Sequence, residues 1–345
     1  MPLPPHPSPP KARRAPGRFA ELHLHLGGAV LPNILHAYLR RSKHPLLKRY
    51  PTVERLERMF ARPRRTLDQY VAMHKLVERV QTLSAIPHFI RRLIRGAVLF
   101  DNLAYMELRH CPWLRTDAGL PEAQRLQQME SIVAAIDDAA RAATRDYPLV
   151  FTQILCMHST LPAALNQRIL DLAIAARPSV CAIDLAGPDR LYAGRLAELI
   201  PLFKRARRAG LRTTAHLFET ADGCHPALLP HLDRVGHGIQ IALRHPTLLK
   251  SLARRGTCLE ICPTSYTRTG TLKGVAELHA VFDRALDAGV PIAICTDNSG
   301  LHGVRLPHEL ESLLVSDILS FDQMRACHRN SFTHAFGWKG AIPSL

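Results

Sequence analysis

Two histidines stand one residue apart in the first apolar run of this 345-residue chain. His23 and His25 lie in the segment ELHLHL, residues 21–26. If this run forms a β-strand, both side chains project from the same face, about 7 Å apart along the strand. Two imidazoles on one face, at the end of a buried strand, can bind one metal ion together. A His-x-His pair also arises by chance, so the rest of the chain has to decide between the two interpretations.

Other side chains suited to metal and acid–base chemistry follow later apolar runs. They are His216, Glu219, His237, Thr264, Ser265, Asp297 and Asn298. Each of them alone is more commonly structural than catalytic, but four separate strand ends that carry His or Asp argue against coincidence. Three histidines and a carboxylate suit Zn²⁺ or another divalent first-row ion, with one position left for water. Glu219 is then predicted to be an acid rather than a ligand, and His237 to hold or deprotonate the water.

Short apolar runs alternate with amphipathic stretches along the chain, which predicts βα units and a parallel sheet. Eight runs have this character, at residues 19–26, 104–111, 149–158, 180–187, 212–219, 234–238, 257–263 and 291–296. Helices are predicted between them, at residues 122–145, 165–176, 195–209, 246–255 and 275–288. Eight such units close into a (β/α)₈ barrel, whose active site lies at the carboxyl ends of the strands. The long interval 33–100 is predicted to hold extra helices, including 67–80.

The competing architecture is an open, doubly wound sheet, which predicts a glycine-rich dinucleotide turn after the first strand. Gly27 and Gly28 follow that strand, but no G-x-G-x-x-G pattern does. We therefore predict one barrel over residues 18–345. Residues 1–17 are rich in proline, carry Lys11, Arg13 and Arg14, and are predicted to form a disordered tail.

The composition limits the classes of partner. The net charge of +16 comes from 45 basic and 29 acidic residues and attracts anions in general. The arginines are spread over many segments, without a basic helix or an aromatic stacking module, so nucleic acid is not a predicted partner. No apolar run reaches the roughly 18 residues that a membrane helix needs. Eight scattered cysteines, without a Cys-x-x-Cys pair, predict reduced thiols and a cytoplasmic protein. The oligomeric state stays open.

Several segments resemble the adenosine deaminase family of the metal-dependent amidohydrolases. They are ELHLHLGGAVLP (21–32), AYMELRHCP (104–112), IDLAG (183–187), TAHLFE (214–219), RVGHGIQIA (234–242), LEICPTS (259–265), AGVPIAICTDN (288–298) and RNSF (329–332). Their order, spacing and positions on the predicted strands all agree with that family. The resemblance implies a (β/α)₈ barrel that binds one Zn²⁺ per chain and deaminates a small 6-aminopurine compound, such as a purine nucleoside.

The resemblance also implies a role for each candidate residue. The metal ligands would be His23, His25, His216 and Asp297. Glu219 would protonate the purine N1, and His237 would orient and activate the attacking water. The backbone N–H of Gly187 would meet purine N3, and Asn298 would donate an amide N–H to N7. Gly27 and Ser265 complete the predicted substrate-binding set.

Departures from the family pattern concern the substrate. Gly27 stands where the family has an aspartate that contacts the ribose 5′-hydroxyl, and Asn298 stands where it has a second aspartate. Leu217 and Phe218 add bulk where the family has small residues. Gly27 removes a negative charge and opens space, so the alternative to adenosine is an acidic or 5′-extended nucleoside. Aminodeoxyfutalosine and N6-modified AMP, which other family members deaminate, are examples. Arg109, Arg268 and Lys273 could supply the positive charge for such a substrate.

Three other classes remain as alternatives. A barrel that binds without catalysis would have lost ligands or Glu219, and all of them are present. An RNA-binding protein is suggested only by the net charge. A different amidohydrolase reaction, such as hydrolysis of a cyclic amide, commonly needs two metal ions and a bridging lysine, and IDLAG (183–187) occupies the place of that lysine. We therefore predict a zinc-dependent hydrolytic deaminase, with adenosine as the first candidate substrate.

Overall fold

The computed structural model describes residues 18–62 and 67–345. The strands in these ranges are β1 Phe19–His25, β2 Leu103–His110, β3 Val150–His158, β4 Val180–Ala186, β5 Arg212–Thr213, β6 His216–Leu217, β7 Arg234–His237, β8 Cys258–Ile261 and β9 Ile292–Ile294. The first seven helices are α1 Pro32–Arg41, α2 Val53–Ala61, α3 Leu67–Glu78, α4 Ile86–Leu99, α5 Glu122–Thr144, α6 Ala163–Ala175 and α7 Leu196–Arg208. The others are α8 Ile239–Arg244, α9 Leu249–Arg255, α10 Pro263–Thr269, α11 Val275–Asp287, α12 Ser299–His302, α13 Leu306–Val315 and α14 Phe321–Thr333. The predicted tail, residues 1–17, lies outside the described residues.

The strands form a ring with eight positions. Two parallel sheets, β1-β2-β3-β4-β5 and β6-β7-β8-β9, are joined because β5 and β6 are successive parts of one stretch, residues 212–217. The ring closes between the first and last strands. Asp297, just beyond β9, donates its backbone N–H to His23 O (2.8 Å) and accepts the N–H of His25 on its own carbonyl oxygen (2.8 Å). The predicted (β/α)₈ barrel is confirmed.

The helices between the strands follow the predicted pattern. Residues 246–255 form a short 3₁₀ turn and then α9 rather than one helix. The strand predicted at 257–263 is shorter than expected, because β8 ends at Ile261 and Pro263 begins α10. Proline is favoured in the first turn of a helix, where its missing N–H is not needed. Thr264 and Ser265 therefore lie on a helix that follows the strand.

The predicted insertion between β1 and β2 consists of α1 to α4, and it has an apolar core of its own. Leu35, Leu39, Phe60, Val77 and Phe89 are buried together in this core, apart from the main barrel core. Burial of such side chains stabilises the packing of the helices on one another by roughly 2 kcal/mol for each large side chain. The insertion is thus a compact cap of helices that extends from the strand carrying His23 and His25.

Charged side chains, rather than aliphatic ones, fill the barrel interior below the carboxyl ends of the strands. Glu260 on β8 accepts hydrogen bonds from Arg109 of β2 (2.9 Å) and from Arg234 of β7 (2.6 Å), and all three side chains are fully buried. Arg109 also contacts Asp184 of β4 (3.4 Å), and Arg234 also pairs with Glu107 of β2. Four strands of the ring are thereby tied together through ionic hydrogen bonds.

We expect the Glu107→Gln substitution to destabilise the fold by about 3 kcal/mol. It would leave the buried Arg234 charge to share Glu260 with Arg109, and removing one partner of a buried ion pair is strongly destabilising. Urea-induced unfolding of the two proteins measures the difference. The matched control is Asp146→Asn, which breaks an exposed pair with Arg91 and should cost about 1 kcal/mol or less. An equally small loss for Glu107→Gln would contradict a stabilising role for the network.

No helix in the described ranges is both long and apolar enough to cross a membrane.

Candidate active site and metal centre

Four side chains that the sequence analysis proposed as ligands converge at the carboxyl ends of the strands. His23 and His25 of β1, His216 of β6 and Asp297 after β9 each offer one ligand atom, and these atoms lie within 4.8 Å of one another. His23, His216 and Asp297 are buried, and His25 is partly exposed. The strand register brings together residues that are as much as 274 positions apart in the chain, because all parallel strands of a barrel end at the same rim.

Carboxylates behind the cluster orient two of the imidazoles. His23 Nδ1 lies 2.7 Å from Glu260 Oε2, and His216 Nδ1 lies 3.1 Å from Asp184 Oδ2. A carboxylate on one ring nitrogen leaves the other nitrogen facing the site and makes it a better ligand. Asp297 is held in turn by the hydroxyl of Ser265, which donates to its Oδ2 at 2.7 Å.

The geometry of the cluster fits a divalent cation. The Nε2 atoms of His25 and His216 are only 2.9 Å apart, and Asp297 Oδ1 lies 3.5 Å from His25 Nε2. His23 Nε2 is buried and has no hydrogen-bond partner among the described residues. Buried polar atoms in native proteins are paired, so a group that is not part of the chain is needed between these atoms. Three imidazoles and one carboxylate are the donor set that Zn²⁺ accepts in catalytic sites.

The pKa values of Asp297 and His25 suit metal binding. Burial raises the pKa of Asp297, but the close approach of His23 and the neighbouring His25 outweigh burial and hold the pKa well below its usual range. Burial and the neighbouring His216 hold the pKa of His25 well below its usual range. Burial also lowers the pKa of His216, but the carboxylate of Asp184 outweighs burial and raises the pKa to about 8, so a metal ion there would displace a proton. Asp297 therefore offers an anionic oxygen at neutral pH, and His25 a neutral nitrogen.

Backbone strain is concentrated at these strand ends. Phe218, His237 and Asp297 adopt positive φ values of 57°, 66° and 60°, which non-glycine residues seldom do. Each stands at or just beyond the end of a strand that carries a ligand or a catalytic candidate. Strained backbone of this kind persists where the surrounding structure requires it, commonly at functional sites. Here it turns the side chains of His237 and Asp297 toward the centre of the rim.

The two predicted catalytic residues lie next to each other beside the cluster. His237 Nε2 is 3.6 Å from Glu219 Oε2, and the His237 ring centroid is 4.8 Å from that of His23. Burial, and then the charges of Asp189 and Asp297, raise the pKa of the Glu219 carboxyl to about 8. Burial and the nearby His23 and His216 hold the pKa of His237 well below its usual range. At pH 7 Glu219 can donate a proton, and His237 can accept one.

A cavity of about 780 Å³, including its mouth, opens above the cluster. Glu219, His237, Gly187 and Asn298 line it, so four of the predicted residues share one space. Gly187 has φ +91°, and a Cβ there would lie 2.6 Å from His158 Cε1. Only glycine therefore lets the backbone line the cavity at this position.

Two predicted substrate-binding residues do not line this cavity. Ser265 is fully buried and bonded to Asp297, so its contact is with a candidate metal ligand. Gly27 is covered, because a Cβ there would lie 2.4 Å from His74 Cε1 and 2.8 Å from Glu78 Cγ. The space that the sequence analysis expected Gly27 to open is occupied by these two side chains of α3.

The structure also places the three proposed cations, and none of them lines the cavity. Arg109 is fully buried beneath the site, where it pairs with Glu260 and Asp184. Arg268 and Lys273 lie at two other surface depressions. Arg109 therefore does not contact a substrate, and the positions of Arg268 and Lys273 do not support the hypothesis that they bind an acidic substrate group. Leu217 and Phe218 are fully buried in the main core and add no bulk to the cavity.

The sequence pattern did not indicate four residues that the structure brings to the site. Asp184 and Glu260 orient ligands, and their signal was a lone carboxylate within an apolar strand of a barrel. His74 and Glu78 line the cavity from α3. No comparable signal marked them, because the docking of an inserted helix depends on tertiary packing.

Known proteins share both this sequence pattern and this fold. The sequence matches the adenosine deaminase family over residues 19–338. The chain belongs to the adenosine deaminase family. One relative, the adenosine deaminase of Enterococcus faecalis, is 29% identical over 324 residues, which cover 92% of this chain and 91% of the relative.

Solved structures with the same fold include adenine deaminase from Arthrobacter aurescens. It has a TM-score of 0.79 and 21% identity, and the match covers 93% of this chain and 94% of that one. A zinc-bound amidohydrolase of Burkholderia ambifaria has a TM-score of 0.75 and 22% identity, over 92% and 85% of the two chains. As a family member, the protein is a hydrolytic deaminase that cleaves a carbon–nitrogen bond, and the His-His-His-Asp cluster matches the metal dependence of the family.

We expect the Asp184→Asn substitution to weaken metal binding about 10- to 100-fold while the protein stays folded. The carboxylate that orients His216 would become a neutral amide, and loss of such a supporting group typically has this effect. Competition with a chromogenic zinc chelator measures the affinity. The matched control is Asp171→Asn, which neutralises a carboxylate that is paired only at the surface, with Arg205. Unchanged affinity in the Asp184 variant would show that Asp184 does not support the ligand.

Proposed function

We propose that this deaminase converts adenosine and water to inosine and ammonia, with one Zn²⁺ in the His-His-His-Asp cluster. The observation that carries the proposal is the buried Glu219, whose raised pKa keeps a proton available beside the cluster and inside the cavity. Relatives named adenosine deaminase support adenosine as the substrate. The eight unpaired cysteines support a cytoplasmic location.

The residues of the chain divide the reaction between them. Glu219 donates its carboxyl proton to purine N1, which draws electrons from C6 and prepares that carbon for attack. His237 takes a proton from the attacking water as the new C6–O bond forms. The same proton passes to the amino group, which leaves as ammonia when the C6–N bond breaks. The second proton of the water, on the new C6 hydroxyl, is lost as the carbonyl forms and restores the carboxyl group of Glu219. Zn²⁺, when bound, supplies the Lewis acidity that makes water a sufficient nucleophile at neutral pH.

Two further residues orient the base in this proposal. Gly187 brings its backbone into the cavity, where its N–H can meet purine N3. Asn298 is 4% exposed, and its Oδ1 has no hydrogen-bond partner in the described part of the chain. Rotation of the amide by half a turn exchanges its oxygen and nitrogen, so the side chain can present N–H to N7. Gly28 makes room for Asn298, because a Cβ at position 28 would lie 1.7 Å from Asn298 Oδ1.

A deamination assay on the zinc-loaded protein tests the proposal. Adenosine, adenine, AMP, N6-methyl-AMP and aminodeoxyfutalosine would be offered, and the loss of absorbance at the aminopurine band followed. We expect the highest kcat/KM for adenosine. A higher kcat/KM for either acidic nucleotide or for aminodeoxyfutalosine would show that the substrate is a 5′-extended nucleoside and not adenosine. If the zinc-bound protein deaminates none of the five compounds, the remaining interpretation is a barrel that binds a ligand without catalysis.

A further inference from the structure

One face of α3 forms a wall of the active-site cavity that no part of the reaction above uses. Tyr70, Val71, His74, Lys75 and Glu78 all line the cavity. Spacings of one, four, five and eight residues place them on one side of a helix. In the proposed reaction, the purine ring contacts the cluster, Glu219, Gly187 and Asn298. Five of the remaining lining residues belong to this face of α3, so the group attached to the purine can lie against it.

His74 is the residue of this wall that lacks a partner. Its Nε2 is buried and makes no hydrogen bond within residues 18–62 and 67–345. The ring stands edge-on to that of His25, with centroids 5.8 Å apart and planes at 88°, so it is adjacent to a candidate metal ligand. A buried polar atom without a partner is costly. Because His74 lines the cavity, a bound ligand can supply the missing partner.

Glu78 holds one side of the His74 ring. Glu78 Oε2 lies 3.6 Å from His74 Nδ1, and Oε1 lies 3.3 Å from Nη2 of the buried Arg115. Nε2 is therefore the ring nitrogen that is left for a ligand. A hydroxyl group both donates and accepts hydrogen bonds, so it can pair with Nε2 whichever ring nitrogen carries the proton.

Gly27 is the sequence change that makes room for this pair. Any Cβ at position 27 would overlap the His74 ring, at 2.4 Å from Cε1 and 2.8 Å from Nε2, and would approach Glu78 Cγ to 2.8 Å. A side chain at position 27 would therefore require the His74–Glu78 pair to shift. The carboxylate that the sequence lacks after β1 is supplied from α3.

We propose that His74, held by Glu78, is a specificity-determining residue that forms a hydrogen bond with a ribose hydroxyl of the substrate. The pair then selects a nucleoside over the free base. This inference rests on the proposed adenosine deaminase activity and adds the part of the site that recognises the sugar.

Product binding tests the inference without requiring turnover. Inosine and hypoxanthine differ only in the ribose, and calorimetric titration of the zinc-loaded protein gives both affinities. We expect His74→Phe, which keeps a ring against His25 but has no acceptor, to weaken inosine binding roughly tenfold and to leave hypoxanthine binding unchanged. His74→Gln, whose amide oxygen can accept the bond, should recover part of the loss. Ala72→Ser, on the exposed side of α3, is the matched control and should match the parent protein.

Equal weakening of inosine and hypoxanthine by His74→Phe would overturn the inference, because His74 would then only support the cavity wall. Unchanged inosine binding in this variant would overturn it as well. If no substrate is deaminated, the proposed reaction fails, whereas these titrations still decide whether His74 recognises the ribose.

Discussion

The Glu219→Gln variant is expected to retain its metal and its fold but to lose turnover by about a hundredfold or more. Glutamine keeps the shape and the hydrogen-bonding capacity of a protonated glutamate, but it has no acidic proton to give to the purine. General acid catalysis typically supplies a factor of about 10² to 10⁴. Glu219 is not part of the ligand cluster, so metal content should not change. Steady-state kinetics and zinc analysis of the same preparation measure both quantities.

The control for this change is Asp222→Asn, which removes an exposed carboxylate three residues away. We expect it to leave kcat and KM as they are. The two variants change the net charge of the protein equally, so a difference between them reflects the position of the carboxyl group. Full activity of Glu219→Gln would show that Glu219 is not the proton donor to the purine. The proposed function would then lose its main support.

The active-site rim was the most predictable part of the molecule. A barrel brings all strand ends to one rim, so polar residues after eight apolar runs were enough to collect the four candidate ligands, Glu219 and His237 in one place. Gly187 and Asn298 were placed by the same reasoning. What the strand pattern could not show is the strain at His237 and Asp297, which arises only when neighbouring strands and loops pack against those residues.

The substrate side of the site was predicted less well, for a physical reason. The sequence shows that Gly27 lacks a side chain, but it does not show what fills the resulting space. His74 and Glu78 lie about fifty residues further along, on a helix whose position depends on the apolar core of the insertion. The prediction for Arg109 was wrong in a different way. A charged residue in an apolar barrel strand suggested a substrate contact, whereas its actual partners are Glu260 and Asp184 inside the barrel.

The Asp297→Ala variant is expected to lose both zinc and activity. Asp297 is the only carboxylate of the four-residue cluster, so its removal leaves three imidazoles, which carry no negative charge, around a divalent ion. Its backbone is also the point where the last strand meets the first, but the hydrogen bonds there use main-chain atoms that alanine retains. Aspartate adopts the φ of 60° at this position more readily than alanine does, so the fold should tolerate the change with a small loss of stability.

The Ser265→Ala variant keeps the Asp297 carboxylate but removes the hydroxyl that orients it, so it tests the effect of orientation alone. This variant removes only the hydroxyl that donates to Asp297 Oδ2, so it should weaken zinc binding by less than Asp297→Ala does. Zinc stoichiometry after dialysis against a weak chelator ranks the two variants, and circular dichroism confirms that both are folded. If Asp297→Ala is folded, zinc-replete and fully active, Asp297 is not a ligand, and three histidines alone would have to hold the metal. If it is folded but has neither zinc nor activity, the cluster is the metal site on which the deamination depends.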